Sequence, residues 1–227
     1  MVYQLKGLWY GLTWGCAFAG RPSVQIALAD QTDLSDNAVR VVQWDFEQLI
    51  SYIREPLHQL KIVQLHAADF DAEGRLLRIG DVLSQEKIFP LIARLLEQIE
   101  NQVVIHVNNQ TDISMVDPRA NIVLVPASPS SGKEAKNFWG NLEYLSEDGE
   151  ILFRIKNEQD FHWMVSCIQR YALTERFTVH MTPIDKNEAY QKWAGKLIQQ
   201  ALGVHLLPWI PFTPVPLRGK TRKHPKT

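Results

Sequence analysis

Cysteine is scarce in this sequence. Only Cys16 and Cys167 occur among 227 residues, and they form no C-x-x-C pair. That excludes a disulfide-dense secreted scaffold, a four-cysteine zinc site and a conventional iron–sulfur centre, which takes three or four thiolates. An excess of charge is also missing, since 24 basic and 25 acidic side chains leave a formal charge of −1. A surface that coats nucleic acid or an anionic membrane is therefore not expected. No apolar run approaches the roughly 18 residues of a bilayer-spanning helix. The first 20 residues carry one lysine and are broken by Gly7, Gly11 and Gly15, unlike the basic and apolar regions of a signal peptide. Reduced thiols, a cytoplasmic location and no membrane contact are the expectation.

What is present is a 45% apolar chain long enough to bury a sizeable core. Short β-branched runs at 23–29, 62–65, 103–107, 122–125, 151–155, 177–181 and 204–207 read as strands covered on both faces. Between them, helical stripes run through Phe46, Leu49, Ile50 and Ile53, then Ile88, Leu91, Ile92, Leu95 and Ile99. Further stripes pass through Phe161, Met164, Val165 and Ile168, and through Tyr190, Ala194, Leu197 and Ile198. Asn157 and Asp185 are placed to cap helices. The long connection 69–85 has room for its own hairpin. This alternation predicts an α/β fold: a mostly parallel sheet forming a partial (β/α)6 TIM-barrel-like domain over residues 1–217. Its open face would lie at the strand C-terminal ends.

From residue 208 the character changes. Pro208, Pro211, Pro214 and Pro216 alternate with Trp209, Ile210 and Phe212, which suits an extended strip and not a central strand. Residues 218–227 hold Arg218, Lys220, Arg222, Lys223 and Lys226 without an acid, about +5, and are expected to be a disordered basic tail.

Several strings carry a family resemblance. Leu8-Trp9-Tyr10, followed by Ala19-Gly20-Arg21-Pro22-Ser23-Val24, resembles the opening of the 7-carboxy-7-deazaguanine synthases, radical S-adenosylmethionine enzymes. Ser128-Pro129-Ser130-Ser131-Gly132 with Asn141-Leu142 and Leu145 is similar to that family's P-S-S-G segment and following helix. Glu158-Gln159-Asp160-Phe161-His162-Trp163 resembles its D/E-x-D-Y/F-x-W string, and Met181-Thr182-Pro183 its late S-P turn. The resemblance implies a radical S-adenosylmethionine fold from about residue 4 to 207.

The family's chemical motifs are missing. Its C-x3-C-x2-C cluster positions fall at Gln31, Ser35 and Ala38, none of which supplies a thiolate. Its Q-G-E-G loop is replaced by Thr13-Trp14-Gly15-Cys16, its G-G-E-P by Ala67-Ala68-Asp69-Phe70, and its E-T-N-G by His106-Val107-Asn108-Asn109. The resemblance implies that Asp69 and Asn108, with Ser130 and Ser131, are vestiges of a cofactor site. No 4Fe-4S cluster is expected, and neither is S-adenosylmethionine binding or catalysis.

The leading expectation is a pseudoenzyme that binds a protein partner or a second copy of itself, linked by the resemblance to deazapurine or nucleic-acid metabolism. Trp9, Trp14 and Trp209 could form an exposed aromatic surface. Arg218, Lys220, Arg222 and Lys223 could add a contact, to nucleic acid among others. One alternative is an enzyme of altered chemistry using His66, Asp69, His106 and His180 as metal ligands or acid–base groups, with His205 at a neighbouring strand end. Another is a purine or S-adenosylmethionine sensor.

Overall fold

The computed structural model describes residues 2–30, 41–57, 60–70, 76–85, 87–98, 102–184, 193–196, 202–207 and 215–216. Gln31, Ser35, Ala38, Asp185, Trp209 and the basic tail lie outside the described residues, as does the side chain of Trp9.

The elements run β1 (Val2–Leu12), β2 (Pro22–Leu28), β3 (Val42–Asp45), α1 (Phe46–Leu57), β4 (Ile62–His66), β5 (Ala68–Phe70) and β6 (Leu76–Ile79). Then come α2 (Ile88–Gln98), β7 (Gln102–Asn108), β8 (Asn121–Val125), β9 (Glu150–Ile155), α3 (Glu158–Tyr171), α4 (Leu173–Arg176), β10 (Thr178–Pro183), β11 (His205–Leu206) and β12 (Val215–Pro216). One large sheet has the order β11-β10-β9-β8-β7-β4-β2-β1-β12, with β3 also paired to β1. From β2 through β11 every pair in it is parallel, whereas β1 pairs antiparallel with β2, β3 and β12. β5 and β6 form the hairpin for which the 69–85 connection has room.

Alternation along the strands separates two faces. One carries Val24, Ile26, Val63, Leu65, Val103, Ile105, Ile151 and Phe153, and it packs against the apolar stripes of α1, α2 and α3. The other carries Ile62, Val104, Val123, Val125 and Leu152, and it packs against Cys16 from the β1–β2 loop. In that loop the Trp14 backbone meets Gln64 on β4, while the adjacent Gly15 lies against Leu152 on β9. β4 and β9 are three places apart in the sheet. At roughly 4.8 Å per strand, one loop reaches both only because the sheet curls around it. The helices therefore lie on the convex face and the loop on the concave face. No closed ring of strand pairs exists among the described residues.

Local signals explain the helix boundaries. At α1, the Gln48 amide N–H donates to Asp45 Oδ1 (2.8 Å) and the Asp45 N–H donates to Gln48 Oε1 (2.9 Å), a reciprocal cap. α3 begins where expected, with the Asp160 N–H donating to Asn157 Oδ1 at 3.0 Å. Two features depart from the sequence reading. β1 and β3 are strands that it does not predict. Gly7 and Gly11 interrupt the alternation of β1, and its register with β2 slips between Leu5 and Gly7. After Ser128 there is no α-helix but a series of 3-10 turns, Pro129–Ser131, Glu134–Lys136 and Trp139–Glu143.

Candidate functional site

The concave face has a floor, a polar band and a mouth. The floor is the loop 13–21, closed on itself by Thr13. The Thr13 N–H donates to the Arg21 carbonyl and the Gly20 N–H to the Thr13 carbonyl, both at 2.8 Å. Trp14 then turns inward. Gly15 follows at φ 65°, and a Cβ there would lie 2.7 Å from Leu152 and 2.8 Å from His106, so only glycine fits. The Ala17 N–H donates to Glu150 Oε2 at 2.6 Å, which ties the floor to the start of β9.

Above it lies a band of buried polar side chains. Gln64 uses its whole amide. Its Oε1 accepts from the Trp14 N–H (3.3 Å) and from Gln25 Nε2 (2.8 Å), and its Nε2 donates to the Trp14 carbonyl (2.8 Å) and His106 Nε2 (2.9 Å). Burial, the His180 charge adding to it, lowers the His106 pKa to about 3, so the ring is neutral. His66 accepts from the Ala68 N–H at 3.1 Å. Its pKa is also well below the usual value, first from burial and then from His106 and Lys6. The Trp14 indole stands between these imidazoles, its centroid 5.5 Å from His66 and 4.0 Å from His106. Further round, His180 Nε2 pairs with Glu150 Oε2, whose other oxygen accepts from Asn121 Nδ2 at 2.9 Å.

The mouth, at the strand C-terminal ends, is braced by carboxylates. Asp69 holds Lys6 and Arg78, and Arg78 also pairs with Asp30. Buried Asp160 accepts from the Ser130 N–H (3.0 Å), Ser130 Oγ (2.7 Å) and the Lys156 N–H (3.0 Å). It thereby joins the P-S-S-G turn to the start of α3. Asn141 braces the loop after β7, with its Nδ2 donating to Asn109 Oδ1 and the Thr111 carbonyl and its Oδ1 accepting from the Ile113 N–H. Between these braces a cavity of about 460 Å³ remains. Its wall includes Asn108, Ser128, Ser130, Ser131, Arg154 and Lys156.

The residues singled out in the sequence are therefore distributed unevenly. Asn108, Ser130 and Ser131 share the mouth. Asp69 lies behind it and acts through Arg78. His66 and His106 face the same indole, while His180 is committed to Glu150. No three His, Cys, Asp or Glu side chains converge on a possible metal position among the described residues. The shared His66–Asp69–His106–His180 site is thus replaced by separate pairings. Trp14 is corrected too: it is 8% exposed and fills the floor, so it offers no surface to a partner. Gln25, Gln64, Glu150, Asp160 and Arg154 were missed. Gln25 and Gln64 had a signal, as lone amides inside apolar strands (Ser23-Val24-Gln25-Ile26 and Val63-Gln64-Leu65) whose parity marks the inner face.

The donor set does not fit an iron–sulfur cluster. Cys16 is buried on the concave face and Cys167 on the convex side, in α3. Burial pushes both thiols up to about 12, and the Glu150 charge adds to the effect at Cys16. Neither is a thiolate at neutral pH, and they cannot converge on one iron.

No helix among the described residues is long and apolar enough to cross a membrane. No protein-family model matches the chain, and no curated protein matches its sequence. Among solved structures, QueE from Escherichia coli superposes with a TM-score of 0.67 at 13% identity, over 91% of this chain and 94% of that one. The likeness shows a QueE-like fold, mixed α/β around a large, mostly parallel sheet.

Proposed function

We propose that this chain is a non-catalytic protein on a radical S-adenosylmethionine fold, acting by binding as a scaffolding or partner-binding subunit. The observation that carries this is the sulfur inventory. A cluster with an open iron position needs three convergent thiolates. This chain has two cysteines, both buried and protonated, on opposite faces of one sheet. The surviving family strings support the same reading, because their polar residues do structural work. Asp160 holds Ser130, Asn141 holds the loop after β7, and Trp163 packs edge-on against Phe153. The contact to a protein partner or second copy is assigned to Trp9, Trp209 and the basic tail.

Anaerobic reconstitution with ferrous iron and sulfide tests the reading. The expected result is iron and acid-labile sulfide far below one cluster per chain, with no reductive cleavage of added S-adenosylmethionine. Four irons per chain would overturn it. Sedimentation of the full chain and of a chain lacking residues 218–227 reports whether self-association exists and whether the tail carries it.

One observation favours a second reading, a small-ligand sensor. The floor is filled, yet the mouth keeps a cavity of about 460 Å³, within the size range of small-molecule sites.

A further inference from the structure

The outer edge of β1 is covered by two separate segments. β3 pairs with Val2–Leu5, and β12 pairs with Trp9 and Tyr10, both antiparallel. Between them lies Gly7-Leu8, which the described residues pair only with β2, at Ala27 and Ile26. Two prolines fix the direction of the backbone groups here. In an antiparallel ladder, residues alternate between giving both backbone groups to one neighbour and giving both to the other. The Thr13 N–H donates to the Arg21 carbonyl, and Leu12 stands opposite Pro22, which has no N–H. Thr13, Gly11, Trp9 and Gly7 therefore bond toward β2. Leu8 and Tyr10 turn their N–H and carbonyl groups to the outer edge. Pro216 stands opposite Trp9, where no N–H is needed. The bonds that hold β12 then flank that pair, at Tyr10 with Val215 on one side and at Leu8 with residue 217 on the other.

Side-chain parity agrees. Leu8 belongs to the convex core and Tyr10 packs against it. The positions opposite them are Val215 and Leu217, both apolar, while Pro216 and Arg218 have the other parity. Arg218 falls opposite Gly7, which has no side chain to oppose it. The strand can run no further, because β3 takes up the edge from Leu5. Gly219 follows, a residue suited to the turn away.

We propose that Val215-Pro216-Leu217-Arg218 is one strand seated on the β1 edge, and that it anchors the basic tail at the mouth. β12 runs opposite to β1, and so toward the C-terminal ends of the parallel strands. Gly7 is level with Ala27, which pairs with His66 at the end of β4. Arg218 thus starts the tail at the rim, with Lys220, Arg222, Lys223 and Lys226 beyond it. The occupant of the edge is the chain's own C-terminus, because residue 217 follows Pro216 directly and reaches Leu8 without a connecting loop. The same strand blunts an edge that would otherwise pair with another chain. The inference deepens the partner-binding reading above and rests on it for the use of the tail, whose root it sets beside Trp9.

Amide hydrogen exchange resolved by residue tests this on the full chain, on Leu217→Asp and on a chain ending at Pro216. The Leu8 amide is expected to exchange at least tenfold more slowly in the full chain than in either variant. The Gly7 and Trp9 amides, bonded to β2, should be alike in all three, which also shows that the variants are folded. If the shortened chain loses that protection, Leu217→Asp decides alone. The inference is overturned if Leu217→Asp leaves Leu8 exchange unchanged, or if it speeds Gly7 and Trp9 as much as Leu8. Such a failure with no cluster uptake leaves the non-catalytic reading standing. Four irons per chain remove that reading whatever Leu8 shows.

Discussion

His106 is kept neutral by complete burial, with the His180 charge adding to the effect. Its pKa falls from 6.5 to about 3 on folding. Between those values the unfolded chain binds a proton that the folded chain refuses, so stability drops on acidification and is regained as pH rises toward 6.5. The loss is roughly 1.4 kcal/mol per pH unit for each such histidine, and His66 acts in the same direction. Urea unfolding at pH 7.5 and 5.5 should show a lower midpoint in acid. His106→Gln should reduce that difference while lowering stability at both pH values. An unchanged pH difference in the variant would show that His106 titrates normally in the folded protein. Carboxylates common to both chains cancel from the comparison.

At the element scale, the mouth is held by a carboxylate that bridges two segments distant in sequence. Asp160 opens α3, yet its carboxylate accepts three hydrogen bonds from groups outside the helix: the Ser130 N–H, the Ser130 hydroxyl and the Lys156 N–H. An amide at this position keeps one acceptor oxygen and presents an NH2 to a donor. Asp160→Asn should therefore cost about 1–3 kcal/mol. The first effect should be local, with faster amide exchange at Ser130 and Lys156 under conditions where the strands stay protected. If exchange speeds up uniformly along the chain, the bridge is not a separate local unit. The helix cap at Asn157 is retained, so helix content by circular dichroism should change little.

For the whole molecule, the two faces of the sheet are sealed by different means. Helices α1, α2 and α3 cover the convex face, and the β1–β2 loop fills part of the concave one. Each cysteine is buried on one side, Cys16 fully and Cys167 to 7% exposure, and each thiol is raised to about 12. Thiol-specific labelling at pH 7.5 should leave the native protein almost unreacted, while two equivalents react in denaturant. With both cysteines inside the fold, labelling kinetics in moderate urea report opening of the concave and convex cores separately, through Cys16→Ser and Cys167→Ser single variants. Fast native labelling at Cys16 would show that the floor is open.

The helices were legible because their signals are local. The stripes of α1, α2 and α3 and the Asn157 cap depend on residues three or four apart, and α3 starts where its cap indicates. The parallel strands were legible as β-branched runs covered on both sides. β1 was not, because its glycines and its register slip break the pattern that marks a strand. The concave site was legible only in part. Gln25 and Gln64 stand out as amides in apolar strands, but Glu150, beside Gly149 and Asp148, reads as a turn charge and is in fact a 1% exposed anchor with three donors. Trp14, in a glycine-flanked loop, reads as surface.

The sequence alone determined the chemistry that is missing: two cysteines in 227 residues cannot hold a three-thiolate cluster in any fold. It also determined the alternation of strand and helix, because periodicity is a property of neighbouring residues. Only the tertiary structure decided what occupies the concave face. Curling the sheet brings β4, β7 and β9 around a single loop, and it turns Trp14 and Cys16 into a floor while leaving a cavity at the other end. Those contacts join residues more than 130 positions apart, as Ala17 and Glu150 are, a separation at which no local pattern carries information.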